Sequence, residues 1–263
     1  MNKVCIVTGG TSGIGLACAR LLSEAGCRVY TVSRRITELP FAESISADVT
    51  DEKAMREAIE AVFEKEKRLD VLVCCAGFGI SGALEFTQSA DAHRQMEVNL
   101  FGIDNASKAA IPLMRRQGGG QLIFISSVAG VVSIPFQGWY SVSKAAINAY
   151  TLALGNELRD FGITVSAVMP GDIRTGFTAA RNKSETGDDI YNGRIARSVS
   201  HMERDELSGM PPEAVAKRVV RLTKQKHPKP ISSVGFSYQA ICCLVKLLPA
   251  RLVNRLVCLL YCK

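Results

Sequence analysis

Short apolar runs alternate with longer amphipathic stretches along most of the chain, and that rhythm sets the predicted elements. Residues 4–8 read as a short buried strand, residues 9–15 as a glycine-rich loop, and residues 16–25 as a helix that closes on Gly26. A second strand is predicted over 27–33. The link at 36–43 holds Pro40 and is too short for a full helix, so a third strand follows directly at 44–47 and ends at Asp48 and Val49. Residues 51–67 form an amphipathic helix whose inner side carries Ala54, Met55, Ala58, Ile59, Val62 and Phe63. A fourth strand at 70–75 is broken by Ala76, Gly77, Phe78 and Gly79. Next come a long helix over 93–117, containing Asn99 and Pro112, and an apolar strand over 121–126. A helix is predicted over 140–158, a sixth strand over 163–169 stopping at Pro170 and Gly171, and a last strand near 228–234. The pattern predicts an α/β fold: one domain, with a doubly wound parallel sheet of about seven strands and helices on both faces.

Composition narrows the classes. At 263 residues with 47% hydrophobic and 6% aromatic content the chain buries a full core, so disorder is excluded. Met1 to Lys3 run directly into the first strand, which leaves no room for a signal segment and predicts a cytoplasmic protein. Nine cysteines are an odd number without a CxxC pair, and His93, His201 and His227 are scattered, so neither a disulfide framework nor a metal site is expected. The net charge of +7 is localised. After Glu213 there is no acidic residue, while ten lysines and arginines follow, so the basicity belongs to the tail. That placement points to an anionic surface or substrate near the tail, and away from nucleic acid.

Candidate chemistry sits at strand ends. Tyr140 and Lys144 are four residues apart on a predicted helix, so their side chains face one way. A tyrosine hydroxyl titrates near pKa ~10 in water, and a neighbouring ammonium favours its phenolate, which makes Tyr140 a general acid/base. Ser127 ends the strand before that helix, and its hydroxyl can hold a substrate oxygen. Gly9, Gly13 and Gly15 permit a tight turn that lets a pyrophosphate approach the backbone at a helix start, although the spacing is G-x-x-x-G-x-G. Where an NAD site places an acid about 20 residues after the glycines, this chain has Ser33, Arg34 and Arg35, which predicts NADP(H). Gly13, Arg34, Ala76, Ser127 and Pro170 all follow strand ends, so these groups converge on one edge of the sheet.

Taken together, these residues resemble the classical short-chain dehydrogenase/reductase family, with its Rossmann-type fold. The resemblance rests on TGGTSGIG at 8–15, Asp48-Val49, Ala76-Gly77, VNLFG around Asn99, ISS ending at Ser127, YSVSK at 140–144 and PGDIRT at 170–175. It covers roughly the first 175 residues. It implies that Ser127 positions the substrate oxygen, Tyr140 transfers the proton, Lys144 lowers the Tyr140 pKa and bonds the nicotinamide ribose, and Asn99 holds a relay water. It also implies that the loop with Gly9, Thr11, Ser12, Gly13, Ile14 and Gly15 holds the pyrophosphate. By the same likeness Asp48 and Val49 border the adenine and Ile173 and Thr175 contact the carboxamide end, and Ser33, Arg34, Arg35, Ala76, Gly77, Pro170 and Gly171 are counted with the cofactor-binding residues. One departure is clear: Cys74 and Cys75 stand where the family has two asparagines, which puts local hydrogen bonding in question.

Residues 176–210, with Phe177, Tyr191 and Met202, match the family's variable substrate loop and helix and predict a mobile lid over an apolar pocket. The tail at 236–263 is apolar with Lys246, Arg251 and Arg255 interspersed and Pro249 splitting it, which argues against a spanning helix. It is expected to close the pocket, to form a dimer contact or to lie on anionic lipid. The expected activity is an NADP(H)-dependent interconversion of a secondary alcohol and a ketone on a bulky apolar small molecule. A steroid or bile acid leads; long-chain acyl, retinoid or sphingoid ketones are the alternatives, and a cofactor-binding regulator without turnover is the answer of another class. The resemblance also implies a homodimer through the long helices.

Overall fold

The computed structural model describes residues 1–262. Its strands are β1 (Val4–Thr8), β2 (Arg28–Ser33), β3 (Glu43–Ser46), β4 (Val71–Cys74), the short β5 (Ile80–Ser81), β6 (Gly120–Ile125), β7 (Ile163–Met169), the short β8 (Asn182–Lys183) and β9 (Ile231–Ser233). Its helices are α1 (Gly13–Glu24), α2 (Glu52–Glu66), α3 (Ser89–Met96), α4 (Gly102–Arg116), α5 (Gly138–Glu157), α6 (Phe177–Ala180), α7 (Arg194–Ser208), α8 (Pro212–Thr223), α9 (Phe236–Leu247) and α10 (Ala250–Tyr261). Seven strands pair in parallel in the order β3-β2-β1-β4-β6-β7-β9. The chain winds outward from β1 to β3 and then restarts at β4 on the other side of β1. That reversal opens a crevice at the carboxyl ends of β1 and β4, where ligands of such sheets bind.

Successive residues of a strand point to opposite faces, and both faces here are covered. Ile6, Tyr30, Leu72, Leu122 and Phe124 pack with Met55, Ile59, Met114 and Ile147 of α2, α4 and α5. Cys5, Val7, Val29, Val73 and Ile123 pack with Leu22, Val215 and Val219 of α1 and α8. The doubly wound Rossmann-type fold is the one the alternating pattern predicts.

Three local outcomes differ from the pattern or refine it. The glycine loop feeds straight into α1, so the helix begins at Gly13 and not at residue 16. The single long helix expected over 93–117 is two helices joined by a π-helical turn, Glu97–Phe101, that carries Asn99. Hydrophobic spacing has no signature for one added residue per turn, and such turns recur at functional positions. The segment at 176–210 holds more than the expected loop and helix: a short α6 and the β8 strand precede α7. β8 pairs with β5, and Ile195, Val199 and Met202 of α7 form a third small core with Ala83 and Phe136.

All nine cysteines are free thiols. Among the described residues no cluster of three metal-ligating side chains occurs, and no helix is long and apolar enough to cross a membrane. Helix α2 shows how local chemistry ends an element: Asp51 accepts a hydrogen bond from the Ala54 amide at 3.0 Å, and Lys67 closes the other end in the left-handed region at φ 57°. Asp51→Ala is expected to lower stability by about 1 kcal/mol in urea unfolding with an unchanged slope.

Candidate active site

The crevice continues into one cavity of about 1250 Å³ that runs from the glycine loop past Tyr140 to the C-terminal helices. Gly9, Thr11, Ser12, Gly13, Ile14, Gly15, Ser33, Arg34, Arg35, Asp48, Val49, Ala76, Gly77, Ser127, Tyr140, Lys144, Pro170, Gly171, Ile173 and Thr175 all line it. Of the candidate residues only Asn99 lies behind the wall, fully buried.

The glycine loop is shaped by close contacts. A Cβ on Gly15 would lie 2.1 Å from the Gly9 carbonyl oxygen, and one on Gly9, whose φ is +65°, would lie 2.8 Å from the Ala76 nitrogen. Thr8 ties the two neighbouring strand ends, its hydroxyl accepting from the amides of Cys75 and Ala76 at 3.2 and 3.4 Å. Cys75, on the variant motif, neighbours the buried Cys18, whose thiol is pushed up by Cys75 and by burial. Helix α1 begins with no acid in its first turn and without a side-chain bond from Ser12, which leaves its N-terminal amides to an anion. Thr175 closes over this loop, with atoms 3.5 to 3.9 Å from where a Gly13 Cβ would be.

Tyr140 and Lys144 lie one turn apart on α5. Lys144 is buried, donates to the Ile125 carbonyl at 2.9 Å, and sits 5.5 Å from the Tyr140 ring centre. The electrostatics correct one expectation. Burial pushes the Tyr140 hydroxyl up to about 12; the Ser127 hydroxyl opposes this, and Glu206 reinforces it. Burial also drives Lys144 down to about 8. Desolvation dominates at both groups, and the groups that oppose it at Tyr140 are the Ser127 hydroxyl and Arg181 in place of the expected Lys144 ammonium. Tyr140 remains a protonated donor throughout the neutral range, which suits it to giving a proton to a carbonyl oxygen.

Asn99 is tied to the protein on both sides. Its amide nitrogen donates to the Phe78 carbonyl and to Ser143 Oγ, both at 3.0 Å, and its oxygen accepts from the Phe78 amide at 3.0 Å. Ser143 in turn donates to the Tyr140 carbonyl at 2.8 Å. Both donor hydrogens of Asn99 are thus spent on pinning the Phe78 loop to α5. Ser143 escaped the sequence reading although its place three residues after Tyr140, on the same helix face, was a usable signal. Tyr238 escaped it for a different reason: it reaches the site from α9, where its hydroxyl bonds Asp172 and its ring lies against Gly171, and no local pattern announces a contact across 66 residues.

The sequence profile of the family described as short chain dehydrogenase matches residues 3–186. The chain belongs to the short-chain dehydrogenase/reductase family. It is an oxidoreductase of that family, similar to a 3-ketodihydrosphingosine reductase of Bacteroides thetaiotaomicron, with 39% identity over 89% of this chain and 88% of the relative. The probable short-chain dehydrogenase/reductase VdlC of Helicobacter pylori is 31% identical over 93% of each chain. Among solved structures, a short-chain dehydrogenase of Streptomyces avermitilis aligns with a TM-score of 0.84 at 28% identity, covering 97% of this chain and 96% of its own. ElxO with NADP bound aligns with a TM-score of 0.74 at 26% identity, covering 91% of this chain and all of its own.

A nicotinamide dinucleotide fits these residues: the loop that a Cβ would fill and the uncapped helix start suit its pyrophosphate, and the crevice continues from there to Tyr140 and Lys144. Tyr140→Phe is expected to cut turnover by about 10²–10⁴-fold while fluorescence titration shows dinucleotide binding retained. Because burial disfavours the Lys144 ammonium, its charge is lost as pH rises through about 8. The kcat/KM for reduction should be level below that pH and fall above it.

Proposed function

We propose that the protein is an NADPH-dependent reductase of long-chain sphingoid ketones, converting a 2-amino-1-hydroxy-3-ketone to the amino diol. The reading is carried by the cavity joining Tyr140 to an apolar end, in a chain 39% identical to a relative named for that reaction. This favours the sphingoid alternative over a steroid or bile acid. The glycine loop and the crevice beside Tyr140 would hold a reduced nicotinamide dinucleotide, which would supply the hydride for the carbonyl carbon. Ser127 hydrogen-bonds the carbonyl oxygen, Tyr140 gives it the proton, and the alcohol leaves toward the apolar end. Lys144, held by the Ile125 carbonyl, adds a positive charge below pH 8 that favours the transient phenolate.

Preference for the 2′-phosphate is supported by Arg34 and Arg35. Both are exposed, both line the cavity past the end of β2, and their backbone is held by Ser46 Oγ on the Arg34 carbonyl (3.2 Å) and Ser33 Oγ on the Arg35 carbonyl (2.7 Å). Ser33 to Arg35, the residues at the end of β2, include no carboxylate to repel a phosphate.

A lipid substrate is supported by α9 and α10. Ile241, Val257, Leu260 and Tyr261 line the cavity, while Phe236 (88% exposed), Leu247 (82%), Leu256 and Leu259 present apolar surface outward beside Lys246, Arg251 and Arg255. Two adjoining helices with that composition suit the surface of an anionic bilayer.

Absorbance at the nicotinamide band should show 3-ketodihydrosphingosine reduced with NADPH preferred over NADH, and keto-steroids and keto-bile acids reduced poorly. Efficient reduction of a keto-steroid with no reduction of the sphingoid ketone would sink the assignment. Replacing Arg34 and Arg35 together by Ala should raise the KM for NADPH by about tenfold or more and leave the KM for NADH nearly unchanged. Leu247→Ser combined with Lys246→Glu should weaken sedimentation with phosphatidylglycerol vesicles; equal sedimentation of variant and parent would remove the tail from lipid contact.

A further inference from the structure

Three carboxylates gather where α7 and α10 meet the substrate end of the cavity: Asp172, Asp205 and Glu206 all act on Tyr261. They are not equivalent. Glu206 lines the cavity but both its oxygens are engaged, one by the buried Arg181 guanidinium and the other by the Thr178 hydroxyl at 2.6 Å. Asp205 lies 3.5 Å from His201 Nε2 and is partly exposed. Asp172 lines the same cavity as Ser127 and Tyr140, is half-buried, and forms no ion pair with any Lys, Arg or His among the described residues.

What holds Asp172 is a neutral donor. Tyr238 gives its hydroxyl proton to Asp172 Oδ2 at 2.5 Å, and its ring lies so close over Gly171 that a Cβ there would meet it at 2.2 Å. The carboxylate is therefore oriented by α9; burial raises its pKa and Asp205 adds to this, while the Tyr238 hydroxyl and the more distant His201 oppose it, and among the described residues no cation is in contact with it. A negative charge in a partly dry cavity, one residue from the Pro170–Gly171 turn beside Ser127, calls for a positive group on the molecule that enters.

We propose that Asp172 is the anchor for the substrate's cation, its carboxylate receiving the protonated amine borne on the carbon next to the ketone. The inference rests on the sphingoid reading and sharpens it. It makes the amine, not the alkyl chain alone, the feature that orients the carbonyl toward Tyr140. Neutral ketones of equal length lack the partner that Asp172 needs, so the site selects against them by leaving its carboxylate unpaired.

The test compares 3-ketodihydrosphingosine with the des-amino hydroxyketone of the same chain length, in the parent protein and in Asp172→Asn, both with NADPH. Asn keeps the size of the side chain and can still accept from Tyr238. The parent should show a kcat/KM about 10- to 100-fold higher for the aminoketone, and the variant should bring the ratio of the two close to one. A parent that reduces both ketones equally overturns the anchor while leaving the sphingoid reading standing. A variant that keeps the parent's preference also overturns the anchor. Reduction of other ketones but of neither long-chain ketone overturns the sphingoid reading and the anchor with it. Should Asp172→Asn fold poorly, Asp172→Ser is read in the same way, and a parent ratio near one overturns the anchor without either variant.

Discussion

The backbone at Gly9 and Gly15 approaches itself and the start of the Ala76 segment so closely that a single methyl group would collide. That contact lets β1 end, turn and launch α1 within a few residues, at the place where the sheet order reverses beside β4. The crevice exists because of it. Amides at the start of α1, the arginines after β2 and the Ser127 end of β6 all face this opening because parallel strands deliver their carboxyl ends to one edge.

Around that crevice the protein buries a proton donor and an amine in the same wall. Water is replaced by packed side chains, so Tyr140 holds its proton and Lys144 gives its proton up more readily. The arrangement favours a tyrosine that delivers a proton when charge develops on the substrate oxygen. Asn99 and Ser143 stabilise the geometry: a π-helical turn aims the Asn99 amide at the Phe78 loop, and Ser143 links that amide to the backbone of Tyr140.

The C-terminal helices give the same opening its other end. Pro249 separates α9 from α10, Tyr238 docks α9 on the Pro170–Gly171 turn, and the ring of Tyr261 packs beside His201 of α7. Apolar side chains thereby continue the cavity outward, with Lys246, Arg251 and Arg255 interspersed on the same two helices. Tyr140, the apolar lining and the two C-terminal helices thus border one continuous cavity.

The alternation of apolar runs and amphipathic helices determined the sheet, its parallel sense and the side on which ligands bind, because strand and helix periods are local properties of the chain. Spacing alone brought Tyr140 and Lys144 to one helix face, and the glycines marked the loop for the same local reason. Tertiary structure decided the rest. The direction of the Tyr140 and Lys144 shifts depends on how much water the folded wall excludes, which no interval between residues encodes. The π turn at Asn99 depends on what that side chain bonds across the fold. The lone charge of Asp172 is visible only once Arg181 and His201 are seen to serve its neighbours, and Tyr238 reaches it across 66 residues because α9 packs over the cavity.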